Sequence, residues 1–404
     1  MPPQNFGRVQ QMPARNPKEA IPRPVVALGA VSLMNDASSE MVFPLLPLFL
    51  RSLGASPALI GLIEGLAETT ASLLKLFSGW LADRLGQHRL LAFWGYVLAA
   101  GTRPLLAFVN APVQVLGLRF VDRVGKGLRT APRDALIAVS TTPENRGLAF
   151  GFHRAMDNLG AAIGPALAML ILLFAPENYR LVFALAAVPA LLSLVVFWWG
   201  VRGVSSPSRS GARHPLAGAG DLLRGRYGWY LGCVLVFTLA NSSDAFLLMR
   251  AQDVGAPVAM APLLWMGLNL LRSAFGVYGG WLADKRGRLQ VLRWGWFCYA
   301  LVYMGFGFAG ALWQVIVLFG LYAVFYALTE GAERALVAEF APAERRGQAY
   351  GLFHFVVGVA ALPASVLFGW LWQSFGAPAA FLMGAGLALV ATVGVSRLEG
   401  SLSA

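Results

Sequence analysis

The chain has 404 residues, 57% of them hydrophobic and 13% charged, with a formal net charge of +12. Soluble domains carry about 25% charged residues, so this composition excludes an ordinary water-soluble globule. The positive charge sits in alternate short polar segments, the placement that a membrane topology produces, which argues against nucleic acid as a partner.

In chain order, residues 1–23 read as a polar, Pro-rich tail without a signal-peptide pattern. Crossing hydrocarbon takes about 20 apolar residues per helix, because every backbone polar group must be satisfied within the segment. Apolar runs at 24–50, 57–82, 90–109, 112–136, 147–174 and 179–201 predict six spanning helices. The Ser-, Gly- and Arg-rich interval 202–226 reads as a flexible linker. Runs at 228–250, 258–283, 289–309, 312–338, 347–372 and 377–396 predict six more, and 397–404 is a short tail. The expected fold is an all-α membrane protein, with twelve transmembrane helices in two pseudo-symmetric six-helix bundles, 24–201 and 227–396. Basic residues gather in the N-terminal tail (Arg8, Arg15, Lys18, Arg23), after span two (Arg84, Arg89) and in the linker (Arg202, Arg209, Arg213, Arg224, Arg226). Loops 110–113, 309–312 and 373–376 are poor in Lys and Arg, which predicts a multi-pass inner-membrane protein with both termini cytoplasmic. Cys233 and Cys298 lie alone in separate apolar runs, leaving no disulfide framework and no Cys-x-x-Cys metal pair.

The two halves repeat each other. Gly79-Trp80-Leu81-Ala82-Asp83-Arg84-Leu85-Gly86 returns as Gly280-Trp281-Leu282-Ala283-Asp284-Lys285-Arg286-Gly287. Arg146-Gly147-Leu148-Ala149-Phe150-Gly151 returns as Arg346-Gly347-Gln348-Ala349-Tyr350-Gly351, and Ser38-Ser39-Glu40 is echoed by Ser242-Ser243-Asp244. Paired repeats are how many transporters build a mid-membrane site with two alternating openings.

Ionisable side chains inside spans cost about 2.5–3.5 kcal/mol each at a helix centre, and they mark function by default. Asp36 and Glu40 share one face of span one, and Glu64 and Glu68 share one face of span two. Span four carries Arg119, Asp122, Arg123, Lys126 and Arg129, and its basic residues form a stripe that must face a wet cavity or neighbouring carboxylates. Span five carries Arg154 and Asp157, and the second half carries Asp244, Arg272 and Glu330. Lys75, close to a helix end, reads as a snorkelling residue, and His153 and His354 read as packing histidines. A carboxylate held between burial, which favours the acid, and a nearby Arg, which favours the anion, suits proton coupling. Asp36, Glu40, Glu64, Glu68 and Asp244 are the candidates for that role. Asn35, Arg119, Lys126, Arg129, Arg154, Asp157, Asn241, Arg272 and Glu330 are candidates to line a substrate cavity.

The repeated G-x-x-x-D-[RK]-x-G pattern resembles the helix 2–3 loop signature of the major facilitator superfamily of secondary transporters, and the likeness extends over all twelve spans. Gly151, Gly160 and Gly164-Pro165 in span five are similar to the glycine–proline signature of its exporters, especially drug–proton antiporters, with Ala168 replacing the last glycine. Arg123-Val124-Gly125-Lys126-Gly127 resembles the family's R-x-x-Q-G motif, so Arg123 would take part in proton coupling. Gln87-His88 stands where a basic pair is usual. The likeness makes Gly79, Asp83, Arg84, Gly86, Gly280, Asp284, Lys285 and Gly287 gate residues that clamp helix ends across the bundle interface. Gly160, Gly164 and Pro165 would be packing and bending points of the same device. The run Asn35–Met41 with Gly65-Leu66-Ala67-Glu68 is similar to a largely uncharacterised prokaryotic branch.

The expected activity is proton-coupled export of a small organic compound by alternating access, by a single chain in a lipid bilayer. No cofactor beyond the proton gradient is expected, since no G-x-x-x-x-G-K-[ST] loop is present. Import of an anionic metabolite or metal chelate is the alternative within transport, because Arg119, Arg123, Lys126, Arg129 and Arg272 suit carboxylate or phosphate. A non-transporting receptor is the alternative outside it. No nucleophile–base constellation suggests an enzyme, and no soft-metal site is suggested by isolated His and Cys.

Overall fold

The computed structural model describes residues 21–142, 145–204, 219–341 and 345–398, and all its regular structure is helical. The tails and most of the linker, with Arg8, Arg15, Lys18, Arg209 and Arg213, lie outside the described residues.

The chain opens with α1 (Arg23–Val42), a 3-10 turn (Phe43–Leu45) and α2 (Leu46–Ser52). Pro44 and Pro47 withhold backbone donors there, so one expected span becomes a jointed pair. α3 (Pro57–Leu85) starts on the Ser56 hydroxyl, which accepts from Leu59 N at 3.3 Å, and stops at Gly86, whose φ of 66° favours glycine. α4 (His88–Leu105), α5 (Pro112–Val139) and α6 (Arg146–Phe174) follow, then α7 (Tyr179–Leu185) and α8 (Ala187–Gly200). After the short α9 (Ala219–Leu222), α10 (Gly225–Ala240) unwinds at Asn241–Asp244 before α11 (Ala245–Asp253). The chain ends with α12 (Met260–Arg286), α13 (Arg288–Phe308), α14 (Leu312–Phe340), α15 (Arg346–Phe375) and α16 (Ala377–Ser396).

Among the described residues, eight helical stretches are long and apolar enough to cross a membrane, from Pro57–Leu85 through Ala377–Ser396. The chain is therefore a multi-pass membrane protein. Four segments expected as spans, 24–50, 112–136, 258–283 and 289–309, are helical but fall outside those eight. The first is jointed, and α5 is heavily charged. α12 and α13 meet at a polar, basic corner, Asp284 to Arg288. Helices also outrun the apolar runs: α3 and α12 continue through the Asp–Arg and Asp–Lys pairs, because polar turns project readily beyond hydrocarbon.

Reversal at every loop gives the molecule two ends. The terminal end holds Arg23, 86–87, 200–204, 219–225 and 286–288; the distal end holds 53–56, 109–111, 175–178, 254–259 and 309–311. Within the first half α1 packs on α6 and α8, and α5 on α3 and α4; within the second α14 packs on α12 and α13, and α16 on α10 and α13. The halves meet along α3 with α15 and α6 with α12. Small residues permit the first of these contacts: a Cβ on Gly65 would stand 2.9 Å from Leu362 Cα, inside the distance real side chains keep.

Candidate functional site

The first half is built round a buried ion network. Arg119 on α5 donates to both oxygens of Glu64 on α3, at 3.0 and 2.8 Å. Asp122 lies 3.3 Å from Arg123, 3.6 Å from Arg103 on α4 and 3.8 Å from Arg119. Arg103 also donates to the backbone and side-chain oxygens of Asn35, at 2.9 and 3.1 Å, and Asn35 donates to Asp36 at 2.9 Å. All but the half-buried Asp36 are buried, so three guanidiniums and two carboxylates share one buried space. Charges so placed persist only when paired and hydrogen-bonded.

The span-four stripe is therefore divided. Arg119 and Arg123 face carboxylates, and Arg129 is buried with its guanidinium 4.8 Å from the Tyr96 ring centroid. Lys126 alone of the four is exposed, as is Glu68 on α3. Lys126 has Arg123, Glu68 and Asp36 as electrostatic neighbours, and Glu68 has Lys126, Arg123, Arg119 and Lys75. Glu68 is also a neighbour of Asp244, in the other half. Accessible charges ringed by charged groups of other helices lie in an opening between helices rather than on the lipid face.

A second polar group lies toward the terminal end of the same half. Ser32 donates to Asp157, His153 faces Asp157 at 3.6 Å, and Arg133 pairs with Asp134 at 2.8 Å while reaching Ser32 at 3.5 Å. His153 is buried and in contact with an acid, so it does more than fill space.

The second half has a different composition. Asp244, at the α10–α11 break, accepts from Tyr322 at 2.7 Å and Tyr326 at 2.9 Å, both on α14. Arg272 on α12 lies over the Tyr326 ring at 4.1 Å and donates to Glu330 at 3.0 Å. Glu330 also receives Arg154 from α6 at 3.3 Å and Arg334 at 3.2 Å, so three guanidiniums converge on one carboxylate at the junction of the halves. Asn241 Oδ1, in the same break as Asp244, is buried without a hydrogen-bond partner.

Direct contacts between halves occur at several depths. Trp265 on α12 donates to Glu40 at 2.6 Å and lies 4.6 Å from the Phe43 ring. At the distal end Arg51 pairs with Asp253 at 2.8 Å and donates to Gln252 at 3.2 Å. Thr69 donates to Gly358 O at 2.6 Å, and Asn158 to Ser273 at 3.3 Å.

The gate candidates stand apart from these contacts. Asp83 meets buried His88 at 2.9 Å, and Arg84 lies over Trp80 at 5.5 Å; both contacts are local to α3 and α4. Asp284 meets Arg288 at 3.7 Å, Lys285 lies over Trp281 at 4.9 Å, and Arg288 reaches Glu339 at 3.1 Å. In this conformation the acid of each turn meets a base of its own half, His88 for Asp83 and Arg288 for Asp284. Gly79 and Gly86 flank Asp83 on the first of these turns, and Gly280 and Gly287 flank Asp284 on the second. Gly160 and Gly164 seat α6 against α1, where added Cβ atoms would stand 2.5 Å from Leu33 O and 2.9 Å from Glu40 Cβ. Pro165 lies inside a helix that runs unbroken from Arg146 to Phe174.

Arg103, Arg133, Trp265, Tyr322 and Tyr326 were not singled out above. Arg103 and Arg133 were open to the same rule as the other intramembrane charges. Tyr322 and Tyr326 stand 200 residues after Asp122 and Lys126, a correspondence the repeat itself supplies. Nothing local marks Trp265, which is found only through its contact with Glu40.

The chain matches the Major Facilitator Superfamily over residues 28–309 and 245–399. It is 33% identical over 372 residues to an uncharacterised MFS-type transporter of Methanocaldococcus jannaschii, covering 91% of this chain and 92% of that one. It is 26% identical to the multidrug resistance protein MdtH of Salmonella newport, over 82% of each. In fold it is similar to the nucleoside transporter NupG, with a TM-score of 0.80 at 12% identity, covering 93% of this chain and 99% of that one. It is likewise similar to a bacterial homologue of the lysosomal transporter Spinster in an inward-facing, occupied conformation, with a TM-score of 0.76 at 14% identity over 93% and 96%. Matched in this way over nearly its whole length, the chain belongs to the major facilitator superfamily and is a membrane transport protein rather than an enzyme.

Proposed function

We propose that this protein is a proton-coupled secondary transporter of the inner membrane that exports a small organic compound by alternating access. Twelve spans would form two six-helix bundles, 24–201 and 227–396, joined by the cytoplasmic linker 202–226, with both termini cytoplasmic and one chain sufficient. The observation that carries this reading is the placement of accessible and half-buried charges from both halves around one opening: Asp36, Glu40, Glu68 and Lys126 on one side, Asp244 and Arg272 on the other.

Glu40 and Asp244 are counterparts in the repeat, and each accepts from an aromatic donor, Trp265 for one and Tyr322 with Tyr326 for the other. A bond from indole or phenol steadies a carboxylate without supplying a fixed positive charge, so the acid remains free to take a proton. Glu64, by contrast, is held by Arg119 and is the least available of the proposed carriers. Arg123, next to Asp122 and in the field of Glu68 and Glu40, would sense the charge of the coupling acids. With Arg51 tied to Asp253, the distal end is the closed one, so this conformation would open toward the cytoplasm.

Export is supported by the span-five glycine pattern and by likeness to a relative named as a multidrug resistance protein. Import of an anionic compound is favoured by one observation, the convergence of Arg154, Arg272 and Arg334 on Glu330, which leaves excess positive charge at the junction. Comparison of intracellular and extracellular metabolites with and without the gene separates the two: export predicts a compound that accumulates inside cells lacking it. In proteoliposomes given that compound, Asp36→Asn and Glu40→Gln should fold normally yet lose proton-driven transport. Unchanged transport in both would remove these acids from the mechanism. Binding of the compound without any movement of solute or protons would favour a receptor.

A further inference from the structure

Cation–aromatic contacts are unevenly distributed over this molecule. At the terminal end Arg84 lies over Trp80, Lys285 over Trp281, Arg226 over Phe340 and Arg397 over Trp229, at 4.9 to 5.9 Å. The densest group is at the start of α4 and just past the end of α8, where Arg89 and Arg202 both lie beside the Trp198 ring, at 5.4 and 5.9 Å, and Arg202 is also 3.8 Å from the Trp199 centroid. At the distal end the corresponding contact is Arg180 over Phe49, and that guanidinium is occupied by Ala107 O, Val109 O and Asn110.

The α4–α8 group is open. Trp94, Trp198 and Trp199 are 54%, 46% and 64% exposed. Among the described residues neither Arg89 nor Arg202 meets a carboxylate, and Arg89 Nε is buried without a hydrogen-bond partner, although Nη2 reaches Trp198 O at 3.3 Å. The group also lies at a fixed depth. The stretch Tyr179–Gly200 has 22 residues. At about 1.5 Å per residue it matches a hydrocarbon layer about 30 Å thick, which puts Trp198 and Trp199 at the headgroup boundary.

We infer that Arg89, Arg202, Trp198 and Trp199 form a binding site for the phosphate of an anionic phospholipid, with the indoles seated among its upper acyl chains. Two guanidiniums beside one indole can both donate to a phosphodiester, and guanidinium pairs well with phosphate oxygens. Basic groups at helix ends select anionic headgroups, and Trp prefers that interface. This inference is independent of which compound is transported and of whether protons are coupled to it.

The test uses the full purified chain and counts bound lipid by native mass spectrometry during titration with phosphatidylglycerol, phosphatidylcholine and, separately, inorganic phosphate. At about 1 kcal/mol per basic residue near an anionic surface, the Arg89→Gln/Arg202→Gln pair should weaken phosphatidylglycerol binding roughly 30-fold and leave phosphatidylcholine unchanged. Arg202→Gln alone, in an exposed turn and without risk to folding, should weaken it about 5-fold. Unchanged phosphatidylglycerol affinity in both variants, or equal wild-type affinity for phosphatidylcholine, overturns the site. Inorganic phosphate that displaces phosphatidylglycerol at similar concentration also overturns it, since the occupant would then be a soluble anion.

Discussion

α5 and α14 occupy corresponding places in the two halves, and both start from a Gln that accepts two backbone donors: Gln114 from Asn110 and Ala111, Gln314 from Gly310 and Ala311. Their inward faces then diverge completely. Arg119, Asp122, Arg123, Lys126 and Arg129 on α5 stand where α14 has Phe319, Tyr322, Ala323, Tyr326 and Thr329. One helix anchors an ion network, and the other supports stacked rings, with Tyr299 and Tyr303 at 4.1 Å and Tyr322 and Phe325 at 5.4 Å. The same backbone scaffold thus carries two chemistries. On the proposed reading, fixed charge in the first half would serve coupling, while the rings around Asp244 in the second would offer an organic compound an aromatic surface beside a proton-carrying acid.

The largest expected effect separates these two cores. Arg119→Ala leaves Glu64 buried and unpaired, which should destabilise the protein by about 3–5 kcal/mol in thermal unfolding. Tyr322→Phe removes one hydrogen bond and should cost about 1 kcal/mol. Equal losses would erase the distinction between a charged and an aromatic core. Next in size is the seam between the halves. Gly65→Leu forces a side chain against Leu362. It should cost about 1–3 kcal/mol and slow transport by wedging α3 from α15; a wild-type rate would show that this seam does not move. The smallest stability effect is expected at the distal tie. Arg51→Ala breaks a partly exposed pair worth about 0–1 kcal/mol, yet it should raise labelling of a cysteine introduced at Lys126 by impermeant reagents from the distal side. No rise in labelling would show that Arg51 and Asp253 do not hold that end closed.

Much of this was legible in the sequence because lipid imposes simple rules. Apolar length located the helices, the repeat set out the correspondence between halves, and intramembrane charge marked Asp36, Glu64, Arg123 and Asp244. Two things were not legible. Helical periodicity gives a face but no partner, so the division of the span-four stripe into buried Arg119 and Arg123 and accessible Lys126 required neighbouring helices to be in place. The acid of the Asp83–Arg84 turn was expected to reach across the interface, but its preference for His88 depends on how α4 begins.

The central claim is that charged groups around one opening drive an exchange between two open states. Spin labels on cysteines at Leu53 and Val254, near the distal ends of the two halves, allow that distance to be measured by pulsed electron resonance. The account predicts a short and a long population whose ratio shifts between alkaline and acidic buffer, with the shift lost in Asp36→Asn/Glu40→Gln. A single short distance, unmoved by pH and identical in that variant, would contradict it.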